Sequence, residues 1–334
     1  MVHRLRTRAL VALGVLCLLT LVVPASPAAA ATTNRLSGPD RYATAAKVSS
    51  SYFTAGVPVA FVASGESFPD ALSAGAAATA LGGPVLLTHP TSLPAATTTE
   101  LTRLHPQKIV VVGQQGAVSD SVKTALDQYT NGPVVRVGGP TRYDTSAALS
   151  AFAFGEGAGT AIIATGETFP DALSGGSAAG PAAGPVLLVT RDSVPPAIAA
   201  ELTRLHNSNG FTGILVIGGT NAISQATFQA IQDGGYAPSV QRRGGADRFA
   251  TSVAVSQAAY PSASTVFLAT GLAFPDALAA IPASGLKGIP ILLVTQPCVP
   301  PEVNQEIARL GASTVVVLGG EQATGPGVLN LTPC

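Results

Sequence analysis

The sequence has no tryptophan, one methionine, four histidines and three cysteines, and only 11% of its residues are charged. Each shortage excludes something. With so few histidines and cysteines, and no His, Asp or Glu pair at ligand spacing, no metal site is expected, and nothing in the chain calls for a cofactor. Basic residues are sparse and unclustered, which removes the electrostatic footprint of a nucleic-acid binder. Low charge does not here mean disorder, which goes with low hydrophobicity and high net charge; 47% of the residues are hydrophobic. Beyond the amino-terminal segment, no apolar run approaches the roughly 20 residues that span a bilayer.

That amino-terminal segment has its own pattern. Arg4, Arg6 and Arg8 are followed by an apolar run from Ala9 to Val23 and then by small residues from Pro24 to Ala31. The order is that of a secretory leader over residues 1–31, cleaved between Ala28 and Thr32. A membrane anchor needs a longer apolar run. A lipoprotein reading of Cys17 fails because Gly14-Val15-Leu16 puts no small residue next to it and the run continues past it. Without the leader the chain keeps fifteen basic and eighteen acidic side chains, a net charge of −3, and no membrane contact is expected. Cys298 and Cys334 then remain. In an exported protein such a pair reads as a disulfide, with two free thiols as the alternative.

What the chain has in abundance is repetition. Phe68-Pro69-Asp70-Ala71-Leu72 returns at Phe169 to Leu173 and at Phe274 to Leu278, 101 and 105 residues further on. A second phrase recurs in step: Arg35-Leu-Ser-Gly-Pro-Asp-Arg41-Tyr, Arg136-Val-Gly-Gly-Pro-Thr-Arg142-Tyr and Arg242-Arg-Gly-Gly-Ala-Asp-Arg248-Phe. A period of this length marks tandem structural units. The reading is three modules after the leader, 32–132, 133–238 and 239–334.

Within a module, short unalternating apolar runs such as Val59 to Ala63 and Val85 to Leu87 suit strands buried on both faces of a parallel sheet. Asp40, Thr141 and Asp247 stand where helix N-caps belong. The pentapeptide joins a strand to a helix, because proline suits the first helical position and aspartate the first turn. Further helices are expected after Pro94, Pro195 and Pro300, where Glu100/Arg103, Glu201/Arg204 and Glu306/Arg309 fall at i, i+3, a spacing typical of surface pairs. Each module thus reads β-α-β-α-β-α-β-α, an α/β unit with a parallel sheet and helices on both faces. Only turns separate the modules, so they are expected to pack tightly as a pseudo-threefold triplet.

Three repeats in order, carrying R-x-x-G-x-x-R-[YF]-x-T, G-x-x-F-P-D-A-L and P-[VI]-L-L over residues 35–330, resemble the cell wall binding type 2 repeat of clostridial surface-layer proteins and bacillary amidases and amidase modifiers. The resemblance implies three Rossmann-like or Toprim-like modules and non-covalent attachment to an anionic cell wall polymer. It implies polymer contact for Pro84, Leu86 and Leu87, for Pro185, Leu187 and Leu188, and for Pro290, Leu292 and Leu293. The modules differ in detail: Gln114 stands where the others have a second glycine, and Leu272-Ala273 replaces Glu66-Ser67 and Glu167-Thr168.

On chemistry alone, Arg35, Arg41, Arg136, Arg142, Arg242 and Arg248 stand out, because two recur in every module and together they are six of the fifteen basic side chains left without the leader. Two readings stay open for them. Their planar forks suit phosphate or carboxylate groups of a polymer, or they pair with the equally repeated Asp70, Asp171 and Asp276 and lock each module. Those aspartates are read as structural or ligand-adjacent. No catalytic residue is assigned. His105 and His206 end helices, His89 is alone in its loop, and no Gly-x-Ser-x-Gly elbow occurs. The competing reading is a wall-acting enzyme, amidase-like or glycan hydrolase, using the strand C-terminal edge of the sheet. The oligomeric state and surface-layer assembly are not set by the sequence.

Overall fold

In the computed structural model, which describes residues 31–334, the first module contributes β1 (Thr32–Leu36), α1 (Arg41–Tyr52), β2 (Ala60–Ser64), α2 (Phe68–Leu81), β3 (Val85–Thr88), α3 (Ala95–Leu104), β4 (Ile109–Val112) and α4 (Asp120–Ala125). The second runs β5 (Val134–Val137), α5 (Arg142–Ala153), β6 (Thr160–Thr165), α6 (Pro170–Ala182), β7 (Val186–Val189), α7 (Pro196–His206), β8 (Gly213–Ile217) and α8 (Gln225–Asp233). The third runs β9 (Val240–Arg243), α9 (Arg248–Ala259), β10 (Thr265–Thr270), α10 (Pro275–Lys287), β11 (Ile291–Val294), α11 (Pro301–Leu310), β12 (Thr314–Leu318) and the short α12 (Pro326–Leu329). The expected leader lies outside the described residues, apart from Ala31.

Alternation of strand and helix is as the apolar runs foretell, and every strand pair is parallel. Asp40, Thr141 and Asp247 cap α1, α5 and α9 through their side chains. Pairing departs from the repeat in one respect. The sheets are β3-β2-β4-β5, β7-β6-β8-β9 and β11-β10-β12-β1. The first strand of each module therefore completes the sheet of the module before it. The first strand of the chain, β1, completes the last sheet, with Thr32 opposite Thr314 and Leu36 opposite Leu318. The three modules close into a ring whose seam joins the two ends of the described chain.

The middle of the ring is built by the pentapeptide helices. α2, α6 and α10 pack against one another, and their starts bring Phe68, Phe169 and Phe274 together with ring centroids 5.9, 5.9 and 6.1 Å apart, the first pair edge-to-face and the other two tilted. Two turns deeper the equivalent positions are Gly75, Gly176 and Ile281. A Cβ at Gly75 would lie 2.6 Å from Ile281 Cγ2, and one at Gly176 would lie 2.5 Å from Ile281 Cδ1. One isoleucine thus fills a space that two glycines leave. Below it, a Cβ on Gly180 would meet the Gly285 carbonyl oxygen at 2.3 Å, so backbones touch there. An apolar core continues from the first module through these helices to the inner faces of the other two sheets.

The Glu–Arg pairs after β3, β7 and β11 are not surface pairs. Glu100, Glu201 and Glu306 are buried, at 4%, 6% and 1% exposure. Each takes two bonds from its arginine, and that arginine also donates to the carbonyl of Phe53, Phe154 or Tyr260 at the end of the neighbouring helix. Ser49 and Ser256 donate to Glu100 and Glu306. The Glu and Arg tie two helices together on the outer face of each sheet. Cys298 and Cys334 form a disulfide, with Cα atoms 5.0 Å apart, which fastens the carboxy-terminal residue beside α11.

Candidate functional site

In each four-stranded sheet the chain turns back between the second and third strands of the spatial order, between β2 and β4, β6 and β8, β10 and β12. Ligands of open α/β sheets lie beyond the strand C-termini at such reversal points. The pentapeptide helix begins there. Its aspartate reaches across to the glycine that ends the adjacent strand: a Cβ on Gly113, Gly218 or Gly319 would lie 2.3 to 2.4 Å from Oδ2 of Asp70, Asp171 or Asp276. Those glycines have φ of 88, 109 and 88°, so both conformation and space demand glycine.

The far wall of each cleft comes from the next module. Asp70 faces Arg142 and Thr145, Asp171 faces Arg248 and Thr251, and Asp276 faces Arg41 and Thr44 across the ring seam. Burial pushes all three carboxyls above the usual range, with the facing threonine hydroxyl and guanidinium pulling the other way. The threonines are themselves fixed, since their hydroxyls accept from Gly38, Gly139 and Gly245 N–H. Between second and third modules the cleft encloses about 290 Å³, with Thr168, Thr220 and Asn221 on its rim. At the seam it encloses about 570 Å³, with Glu321, Gln322 and Ala273 in the corresponding places.

The repeated residues therefore meet, but between modules and not within them. Asp70, Asp171 and Asp276 each face the threonine and arginine of a neighbouring module. Arg41, Arg142 and Arg248 each donate to the carbonyl of Gly65, Gly166 or Gly271 in their own module, and Arg41 and Arg142 also lie over Phe274 and Phe68 of the preceding module. Arg35, Arg136 and Arg242 do something else. They sit on the donated strands and bond the carbonyls of Gly319, Gly113 and Gly218 at the end of the strand alongside. Arg136 adds Asp120, and Arg242 adds the carbonyls of Ile223 and Ser224 and the face of Phe228. Neither set of arginines matches the simple picture of a free fork awaiting a polymer.

The proline–leucine steps need the plainest correction. Leu86, Leu87, Leu187, Leu188, Leu292 and Leu293 are all 0% exposed, and Pro84, Pro185 and Pro290 are buried beside them. A polymer on the surface does not reach these side chains. Each proline opens an edge strand, where the missing N–H is tolerated, and its carbonyl accepts from Phe61, Ile162 or Phe267 in the central strand. Ser146 and Ser252 of the covering helices then accept from Leu188 N–H and Leu293 N–H, which ties β7 and β11 to those helices. These motifs shape the sheet that carries the cleft.

A cluster that sequence reasoning passed over joins α1 to the loops after β2 and β3. Tyr42 hydroxyl and His89 Nδ1 are 2.8 Å apart, and Glu66 Oε1 is 3.0 Å from the same nitrogen. The equivalents in the other modules are Tyr143, Thr190 and Glu167, then Phe249, Thr295 and Leu272, so nothing in the repeat pattern draws attention to it.

Three α/β modules closed into a ring, with the same Asp, Arg and Thr meeting at each junction and a cleft at two of them, define a tandem-repeat binding architecture. The chain belongs to the cell wall binding domain 2 (CWB2) family, whose model matches residues 35–123, 136–228 and 242–329. It is 26% identical over 296 residues to N-acetylmuramoyl-L-alanine amidase LytC of Bacillus subtilis, covering 89% of this chain and 57% of that one. It is 28% identical over 273 residues to the amidase enhancer of the same organism, covering 81% of this chain and 36% of the relative. The chain thus spans between about a third and three fifths of these relatives' length. Among solved structures, Cwp6 from Clostridium difficile superposes with a TM-score of 0.78 at 25% identity, over 87% of this chain and 46% of the other. Cwp8 shares the fold with a TM-score of 0.77.

Proposed function

We propose that this chain is an exported protein that attaches non-covalently to the cell wall by holding an anionic wall polymer in its three intermodular clefts. The observation that carries the reading is the coincidence of two things: the CWB2 match recurs three times, and the same Asp, Arg, Thr and Gly recur at three junctions. The role is binding and not catalysis. The cleft carboxylates face a fixed threonine and an arginine, an arrangement that holds a junction together. Three modest contacts on one polymer chain add to strong retention, because the second and third engagements are intramolecular. Among the described residues no helix is long and apolar enough to cross a membrane. Sedimentation of the purified protein with native walls, and with walls stripped of secondary polymers, tests the reading. Retention on the native walls alone is expected; equal retention on both refutes it, and release of soluble wall fragments would turn the assignment to an enzyme.

A further inference from the structure

We infer that the clefts recognise the uncharged, hydroxyl-bearing sugar units of the wall polymer and leave its phosphate or carboxylate groups in solvent. The inference rests on the wall-attachment reading and names what that site reads.

Three observations converge. First, each of the six repeated arginines donates from Nη1 to the carbonyl of a glycine that directly follows a strand, so each guanidinium is held against the protein's own main chain. Second, the clefts hold more acid than base. The seam cleft has Asp40, Asp276 and Glu321 against Arg41, and the cleft between second and third modules has Asp171 and Asp247 against Arg248. A polyanion entering either one brings like charges together well inside a Debye length of about 10 Å. Third, what the clefts do offer is suited to hydroxyls. A carboxylate accepts from two O–H donors side by side, and Thr220 and Asn221 supply groups that both donate and accept. A Cβ on Gly320 would meet nothing within 4 Å, and one on Gly219 only the Gly245 carbonyl at 3.9 Å, so bare main chain lies open to a sugar ring. Of the cleft volumes, about 290 Å³ lies just under and about 570 Å³ lies within the roughly 300–1,000 Å³ of small-molecule sites.

Asp171→Asn with Asp276→Asn separates the two chemistries by sign. If the clefts read hydroxyls, removing the carboxylate acceptors weakens retention on native walls about tenfold. Wild-type retention then changes less than about twofold between about 50 mM and about 500 mM NaCl, and free hexoses or N-acetylhexosamines compete where inorganic phosphate does not. If the clefts read charge, the double variant removes repulsion and binds more tightly, retention falls steeply with salt, and phosphate competes; that outcome overturns the inference. Thermal unfolding of the variant checks that it is folded, and should it not be, the salt series and the competition on the wild-type protein decide alone. Failure of the wild-type protein to sediment with native walls at any salt refutes wall attachment itself, and the inference falls with it.

Discussion

The axis of the ring offers a double-mutant test of how the three modules are held. Gly75→Ala places a methyl 2.6 Å from Ile281 Cγ2 and 2.8 Å from its Cβ. Those are the stiff, branched atoms of the isoleucine, which cannot swing away as a flexible tip would. Overpacking of this kind costs about 1–3 kcal/mol. Ile281→Ala removes a 0% exposed side chain and leaves a cavity at the meeting point of α2, α6 and α10, a loss of about 2–5 kcal/mol. In the double variant the new methyl enters the vacated space. The clash disappears and part of the cavity is filled, so the combined loss should be smaller than the sum of the singles by about 1–2 kcal/mol. Urea unfolding followed by circular dichroism on the four proteins measures the coupling. Strict additivity, within about 0.3 kcal/mol, would refute the claim that one isoleucine serves all three helices.

Arg309→Ala should destabilise by about 3 kcal/mol in urea unfolding, because it strips the arginine from Glu306, whose side chain is 0% exposed; Arg191→Ala, which breaks an exposed pair with Asp192 (48% and 67% exposed), should change stability by less than about 1 kcal/mol in the same measurement. Replacing Cys298 and Cys334 by serine opens a link across 36 residues and should cost roughly 3–4 kcal/mol by loop-closure entropy, read as a lower urea midpoint than that of the oxidised protein. The raised carboxyls of Asp70, Asp171 and Asp276 bind protons more tightly in the native state than in the unfolded one. Their stabilising contribution is full below the ordinary carboxylate pKa of about 4 and is lost as pH rises through the higher native values. The triple Asp→Asn variant should therefore lose less stability than the wild type between about pH 4 and about pH 7; an equal or steeper loss would refute the assignment.

Much of the fold could be read from local chemistry, and the cleft only in part. Proline and aspartate at the head of each pentapeptide fix a helix start, and they do so in all three copies. The phenylalanine ahead of them carries no such cue, because its partners at the axis lie about 100 residues away in sequence. The buried Glu100 was hidden for a related reason. An i, i+3 Glu–Arg pair looks like a solvated helix face until Ser49, on another helix, is seen to bond it. The one available clue was a serine recurring in step with the glutamate, at Ser49, Ser150 and Ser256. Pairing of Arg with Asp inside a module is one of two readings the sequence leaves open, and in the structure each aspartate instead faces the arginine and threonine of a neighbouring module. A periodic sequence looks the same under either arrangement, since shifting every contact by one period leaves the pattern of residues unchanged.

That ambiguity is also the reason the ring matters to the site. Each cleft takes its aspartate and strand-end glycine from one module and its arginine and threonine from the next. Three modules joined as an open row have two such junctions. The third exists only because β1 pairs with β12 and carries Arg41 and Thr44 up to Asp276. Arg35 secures that seam by donating to the Gly319 carbonyl and the Thr324 hydroxyl, and the disulfide at Cys334 lies just beyond the short helix that packs on β1. The interactions that stabilise the seam are thus the same ones that complete the seam cleft, whose lining comes from both ends of the described chain.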